Sequence, residues 1–541
     1  MGIFMIYFVP AWYKENKWCE NEQSWHARRT YSEFDETIKQ LQLFHRNLEA
    51  DYRILLLGYS PNFRHFLHRQ GMYRANYWSC FDAMQQVTRK RISILSYHDL
   101  KWPQGIEFVY SPFAIIAFLN GRKYARVEFG EDGNMIAVYM YENDVICRRN
   151  YYDDRGFVSC TIVYLNGQAQ YQDFLGEDGY WRVRNYFSDD HCEINPKFGK
   201  YTIHTVGSVI ESTYLQSTYP SLESLINEVF SKYVYYNNTG NDKFFVAIHK
   251  LHMSLLQECL KDKCIISTVF ENRYPYNELG EIRDFILKSQ YLITDSKEVS
   301  KVIKNTIGYD YKIDKCIVKD ISPYDARADF GISQQLSVQN IMIPVDGIDD
   351  IRLEQVIVEC AEYMTGNAIA RVHIFSRSTD WGYSSAMKEK LAGILERNGF
   401  NKDWVLASDK RRESENEIDK EEEETKPRFF IKQTINERDI SKCVNEQRLI
   451  LDVRNTVDVF LFITALSKGV PRISTIKDEF LLHKRNGYYF TDLSEIPDLL
   501  SYYLDNMEVW NAALIENYEL GRKYTTDILV DAWKEVLDFG E

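Results

Sequence analysis

The chain has 541 residues, against about 150 for an ordinary domain, so three to four domains with sizeable cores are expected. At 45% apolar and 27% charged it excludes wholesale disorder, a fibrous repeat and a disulfide-stapled miniprotein. With 65 basic against 79 acidic residues the formal charge is −14, so no global field draws the chain to nucleic acid or anionic lipid.

The opening, MGIFMIYFVPAWYKENKW, lacks the basic leader and long apolar core of a secretory signal. Ile6 stands where myristoylation after Gly2 needs Ser or Thr, and no run reaches the ~18 apolar residues of a membrane span. The expected location is cytoplasmic, with at most peripheral membrane contact. Ten cysteines, scattered from Cys19 to Cys443 without C-x-x-C, read as reduced, packed thiols.

Taken in order, IYFVPAW predicts a strand, and Thr30-Tyr-Ser-Glu33 a capping box ahead of a helix carrying Phe34, Ile38, Leu41 and Leu48. RILLLGYS follows as a continuously apolar strand of the kind buried on both faces of a parallel sheet. From Arg126 to Phe187 apolar and polar residues alternate, broken by turns at GEDG, DDRG and GEDG. Their last glycines, Gly133, Gly156 and Gly179, recur every 23 residues, which predicts repeated hairpins in an inserted antiparallel meander. Alternating α/β patterning then resumes through SLESLINEVFSKYV, FFVAIHK, CIISTVF and QYLITDS. It restarts at NIMIPVDGIDD, with a helix over 353–364, the strand RVHIFSR and a helix over 386–398. Between Asp409 and Lys426 one residue in eighteen is apolar, which predicts a solvated, mobile loop.

The fold class read from this pattern is α/β. The chain divides into an N-terminal half at 1–115 and 203–325, the inserted meander at 116–202, a C-terminal half at 326–520 and a terminal helix at 521–541.

Several familiar sites are missing. No G-x-G-x-x-G follows the first strand, Gly199-Lys200 lacks the upstream P-loop glycine, and neither G-x-S-x-G nor D-x-D occurs. Asp329-Phe330-Gly331 spells the kinase magnesium triplet without a catalytic H-R-D. His249 and His252 with Cys259 and Cys264 could converge on a metal, but read as half-buried helical side chains. No catalytic residue, metal site or cofactor motif is assigned.

The most informative stretch is LDVRNTVDVFLFITALSKGVPRISTIKDEFLLHKRNG. It predicts a strand over Val457 to Leu461, a helix, Gly469-Val470-Pro471, a strand and an Asn486-Gly487 turn, the order found at the sugar-nucleotide site of two-lobed glycosyltransferases. A generic α/β unit with a coincidental G-x-P gives the same pattern. In retaining enzymes two glutamates separated by seven residues precede the G-x-P; those positions here hold Thr456 and Thr464, shorter and uncharged. A diphosphate leaving group also needs an arginine and a lysine. No lysine occurs from Asn340 to Met387; Arg352, Arg371 and Arg377 are available, but RVHIFSRS ends its strand without a glycine. Candidate substrate-binding residues around the decayed cleft are Lys468, Arg472, His483 and Asn486.

MIYFVPAWY, SWHARRTYSEFDETIKQLQLF, WSCFDAMQQ, CIVKDISPYDARADFGISQQLSVQNIMIPVD and LSKGVPRI to RNGYYF together resemble the family of first accessory secretory proteins of Gram-positive bacteria. The resemblance covers nearly the whole chain; residues 1–4 and the long acidic run depart from it. It implies two Rossmann-like halves in a GT-B-like arrangement with an inserted β-meander. It also implies a cytoplasmic, noncatalytic relative of glycosyltransferases that helps export serine-rich-repeat glycoprotein adhesins. Its implied partners are the second and third accessory secretory proteins, the accessory SecA ATPase and the glycosylated substrate. The alternative is an active cytoplasmic GT-B-type retaining glycosyltransferase. The 14% aromatic content suits a large core or a sugar-binding surface.

Overall fold

The computed structural model describes residues 5–13, 17–19, 24–25, 36–47, 51–205, 208–270, 276–311, 315–406 and 427–537. The capping box at Thr30, Phe34, Leu48, residues 1–4 and the acidic run 409–426 lie outside them.

The apolar runs form two seven-stranded sheets, each parallel throughout. In the first, spatial order runs Ile317–Asp320, Tyr291–Thr294, Cys264–Val269, Lys243–Ala247, Ile6–Val9, Tyr52–Leu56, Tyr77–Ser79. The second runs Val405–Leu406, Phe429–Gln433, Ala370–Ser376, Gln339–Pro344, Leu449–Asp452, Arg472–Ser474, Gly487–Tyr489. Both faces of each central strand are covered, which is why IYFV and LILD carry no polar alternation. Phe8 stacks on Phe245 at 4.9 Å, and both belong to a core closed by the last helix, Thr526–Leu537, whose Trp533 lies 5.7 Å from Phe44. The end of the chain thus packs on the sheet where the chain begins. Lys39 and Glu437 add an ion pair of 2.5 Å between the two halves, and the Lys297 amide donates to Glu479 Oε1 at 2.9 Å.

Between them lies a ten-stranded antiparallel sheet running from Ile106–Tyr110 to Thr218–Tyr219. The 23-residue period is real geometry. Gly133, Gly156 and Gly179 have φ of +75°, +82° and +80° and close hairpins at one end. At the other end Asn120-Gly121, Asn143-Asp144 and Asn166-Gly167, spaced by the same 23 residues, turn with both residues at positive φ, as two-residue hairpins require.

One face of the meander packs on the helix Cys80–Gln85, placing Phe81 against Phe174 at 4.9 Å. A buried charge network locks this joint. Arg64 pairs with Asp154 and, at 3.3 Å, with Asp153; Arg155 binds Asp153 and Asp82, both at 2.7 Å. Burial penalises both guanidiniums, but the carboxylates outweigh it and hold them charged.

Two local expectations are corrected. Val457 to Leu461 is not a strand: the strand is Leu449–Asp452, and Asp458 Oδ1 accepts from the Leu461 amide at 3.0 Å to cap the helix Val459–Lys468. That helix is buried nearly all round, so its apolar pattern carries no helical period. The expected Asn486-Gly487 turn is shifted: it covers 484–486, and Gly487 opens the next strand. The positive φ falls on Lys484, whose amide donates to Gly487 O at 2.8 Å. Gly487 is needed because a Cβ there would sit 2.0 Å from the Arg472 carbonyl oxygen.

Candidate functional site

In the second sheet the strand order reverses between Gln339–Pro344 and Leu449–Asp452, so the chain leaves their carboxyl ends in opposite directions. A crevice at such a switch point is where open α/β sheets hold ligands. A cavity of about 370 Å³ opens there, lined by Asp346, Arg377, Ser378, Arg454, Thr456, Val457 and Asp458.

Both arginines of the cavity are bound to carboxylates, and its remaining carboxylate is held by neutral donors. Asp346 accepts from Ser376 Oγ at 2.5 Å and from the Arg377 amide at 2.8 Å. Arg377 Nη2 meets Asp458 Oδ1 at 2.9 Å. Arg454 donates twice to Asp452, at 2.9 and 2.7 Å, and once to Asp458 at 3.4 Å. The two guanidiniums are bound by two carboxylates, Asp452 and Asp458. Burial alone would raise Asp458, but Arg377 and Arg454 outweigh it and hold its pKa below the ordinary 3.8. A bound diphosphate would have to displace these carboxylates.

The two former glutamate positions separate. Thr456 is exposed on the cavity rim, whereas Thr464 is buried and donates its hydroxyl to the Phe460 carbonyl at 2.7 Å. Of the arginines considered, Arg377 alone lines the cavity. Arg371 sits near the amino end of its strand, where no ligand crevice forms, and Arg352 donates to Thr475 Oγ1 at 3.0 Å. Sequence reasoning missed Arg454, which stands two residues past the strand; its signal is a charged residue at the carboxyl end of an apolar run.

The four candidate residues lie along the helix, strand and loop behind the cavity rather than in its lining. Lys468 pairs with Asp329. Arg472 binds both oxygens of Asp478 at 2.6 Å and covers the Phe462 ring at 3.6 Å. Asn486 donates to Phe480 O at 2.9 Å and Asn517 Oδ1 at 3.0 Å. His483 is exposed and its Nδ1 accepts from the Tyr489 amide at 3.1 Å.

The histidine–cysteine set does not converge. His249 caps the helix Lys250–Cys259; buried His252 joins Tyr13 at 2.9 Å and the Ala247 carbonyl at 2.8 Å. Cys259 meets Ser231 and Cys264 meets Gln290, so each has a local structural partner. The kinase-like triplet is linker: the Gly331 amide donates to Lys468 O at 2.9 Å, and a Cβ there would meet Asn445 O at 2.8 Å. Among the described residues no helix is long and apolar enough to cross a membrane.

Mixed α/β layers built on parallel sheets, with a crevice at a strand switch, are a fold shared with solved glycosyltransferases. The pneumococcal O-GlcNAc transferase GtfA, crystallised with UDP and GlcNAc, superposes with a TM-score of 0.67 over 99% of each chain at 11% identity. The chain belongs to the family of accessory Sec system proteins known as accessory secretory protein 1, whose model matches residues 5–539. The Streptococcus gordonii accessory Sec system protein of this family is 28% identical, over 98% of this chain and 99% of its own. A crystal structure of accessory secretory proteins 1, 2 and 3 in Streptococcus pneumoniae includes a chain 25% identical, with a TM-score of 0.76 over 99% of this chain and 100% of that one.

Proposed function

We propose that this chain is a noncatalytic, cytoplasmic component of accessory Sec export. In this reading it consists of two Rossmann-like halves in a GT-B-like arrangement, and it assists transport of serine-rich-repeat glycoprotein adhesins. It binds the second and third accessory secretory proteins, the accessory SecA ATPase and the glycosylated substrate. One observation carries the noncatalytic part: the cleft arginines Arg377 and Arg454 are already committed to Asp452 and Asp458. A transferase needs those charges for its leaving group. Lys468, Arg472, His483 and Asn486 are the proposed substrate-binding residues, and of the four His483 is the exposed one.

Co-purification with the second and third accessory proteins, together with no saturable heat on titration with millimolar sugar nucleotides, is the expected result. Micromolar donor binding with steady turnover would instead establish the active retaining transferase.

A further inference from the structure

The arginines of the meander sort by what they meet. Arg126, Arg155, Arg182 and Arg184 each pair with a carboxylate, at 3.0, 2.7, 2.8 and 2.7 Å. Arg149 pairs with none among the described residues, and its buried Nε has no acceptor there. Its guanidinium rests instead on two rings, Tyr139 at 4.2 Å and Tyr151 at 4.4 Å. Tyrosine faces attract a cation, but they leave its charge unmatched and its in-plane N–H groups unused.

The register explains this placement. Tyr139 lies opposite Arg149 on one neighbouring strand and Ile162 on the other, and Tyr151, two residues further along, shares the face. Tyr151 is 3% exposed and belongs to the core beneath the meander, whereas Arg149 and Tyr139 are half-buried. The arginine therefore stands at the rim where this face leaves the core. Beside it Lys123 lies over the Tyr141 ring at 3.8 Å, also with no carboxylate partner among the described residues. The strands Arg122–Phe129 and Val145–Asp153 flank Met135–Glu142, so the two cations stand roughly 10 Å apart across the sheet. Glu128, which the register puts on the same face, is already met by Arg126 and by Ser24 Oγ.

We infer that this surface docks an acidic segment of a partner polypeptide, one carboxylate closing on the N–H edge of Arg149 and a second reaching Lys123. A guanidinium laid on rings offers that edge as a planar fork, which a carboxylate matches with two hydrogen bonds. A buried donor without an acceptor costs stability, so an orphan Nε at a rim marks where an acceptor arrives on binding. Tyrosine and arginine are the residues enriched at the centres of protein interfaces, and Tyr139, Tyr141 and Arg149 supply both here. Nucleic acid fits worse: the whole chain carries −14, so no field gathers a polyanion, and two cations offer few phosphate contacts. The cleft arginines lack what Arg149 has, because Asp452 and Asp458 already match them. The inference goes beyond the export reading and does not rest on it.

Calorimetry on the full chain tests this with a synthetic peptide of alternating glutamate and alanine, whose carboxylates share one face when extended. Saturable binding that weakens with added salt is expected. Arg149→Met keeps bulk over the rings but removes the fork, and should weaken binding by about tenfold with circular dichroism unchanged. Arg149→Lys keeps the charge without the fork and should not restore it. Lys123→Gln, a surface change that leaves the fold intact, should weaken binding by about threefold. Arg148→Gln, exposed on the opposite face of the same strand, should change nothing. Wild type without saturable binding overturns the inference, as does undiminished binding in both Arg149→Met and Lys123→Gln. Inorganic phosphate or single-stranded DNA binding more tightly than the peptide, and losing that affinity in Arg149→Met, overturns it as well by assigning the site to phosphate.

Discussion

Two networks of the same composition occur in this molecule, each with two arginines and three aspartates. At the meander joint the Arg64 and Arg155 guanidiniums meet Asp82, Asp153 and Asp154; at the cleft those of Arg377 and Arg454 meet Asp452 and Asp458, while Asp346 accepts from the Arg377 backbone amide. The first is packed shut between a helix and a hairpin turn, where the backbone of Gly156 passes so close to Ser93 that a Cβ would meet it at 3.1 Å. The second opens onto a cavity. The difference teaches that an arginine in a crevice is not in itself an anion site: what matters is whether its charge is already matched. In both places the matching is internal, and the cleft is electrostatically a joint with a hollow beside it.

The comparison breaks most visibly when one partner is removed from the packed joint. Arg155→Ala leaves Asp82 and Asp153 without their main partner, and stranding buried charge costs about 3–5 kcal/mol. Urea unfolding should show that loss, with the meander becoming susceptible to protease before either parallel sheet. At the cleft, Asp458→Asn keeps a capping side chain but loses the charge facing both arginines, for about 2 kcal/mol. Because a cavity adjoins it, this variant alone should also gain weak affinity for inorganic phosphate by calorimetry. Asp153→Asn at the sealed joint should gain none; equal gains in both variants would erase the distinction drawn between them.

Acid sharpens it further. Burial raises Asp82 and Asp458, but their arginine partners outweigh burial and leave both below the ordinary 3.8. A depressed carboxylate stabilises the fold above its unfolded value and withdraws that contribution as pH falls through the lower folded value. Stability should therefore decline below about pH 4, and the decline should be shallower in Asp458→Asn, which has one such group fewer. Thermal melts across pH 5 to 2.5, a window of roughly one unit either side of the carboxylate range, read this directly.

Much of this architecture was legible. The apolar runs and the glycine spacing marked both parallel sheets and the hairpins, because local turn chemistry and strand burial leave direct traces in sequence. The cleft was harder. Arg454 and Asp458 gain their meaning from Arg377, whose contact with Asp458 spans 81 residues of chain, and no local pattern encodes that pairing. The start of Val459–Lys468 is hidden for a related reason: a helix buried nearly all round has no polar stripe to announce its period. Thr456 and Thr464 were found by spacing, yet only the structure shows that one faces the cavity and the other is spent on its own helix.

That separation sets the last prediction. If the cleft were a transferase site lacking two side chains, restoring glutamate at both threonines should restore donor binding. The geometry says otherwise. Thr456→Glu adds a fourth carboxylate beside Asp346 and Asp458, and, being exposed, should change stability by no more than about 0.5 kcal/mol. Thr464→Glu forces a longer charged group into a 7% exposed helical position and should cost more, lowering the melting temperature without opening a path to the cavity. In neither variant, nor in the double variant, is Arg377 or Arg454 released from its carboxylates. Calorimetry with sugar nucleotides should therefore stay flat in all three, while a saturable signal in Thr456→Glu alone would show that the paired arginines yield to phosphate more readily than their contacts indicate.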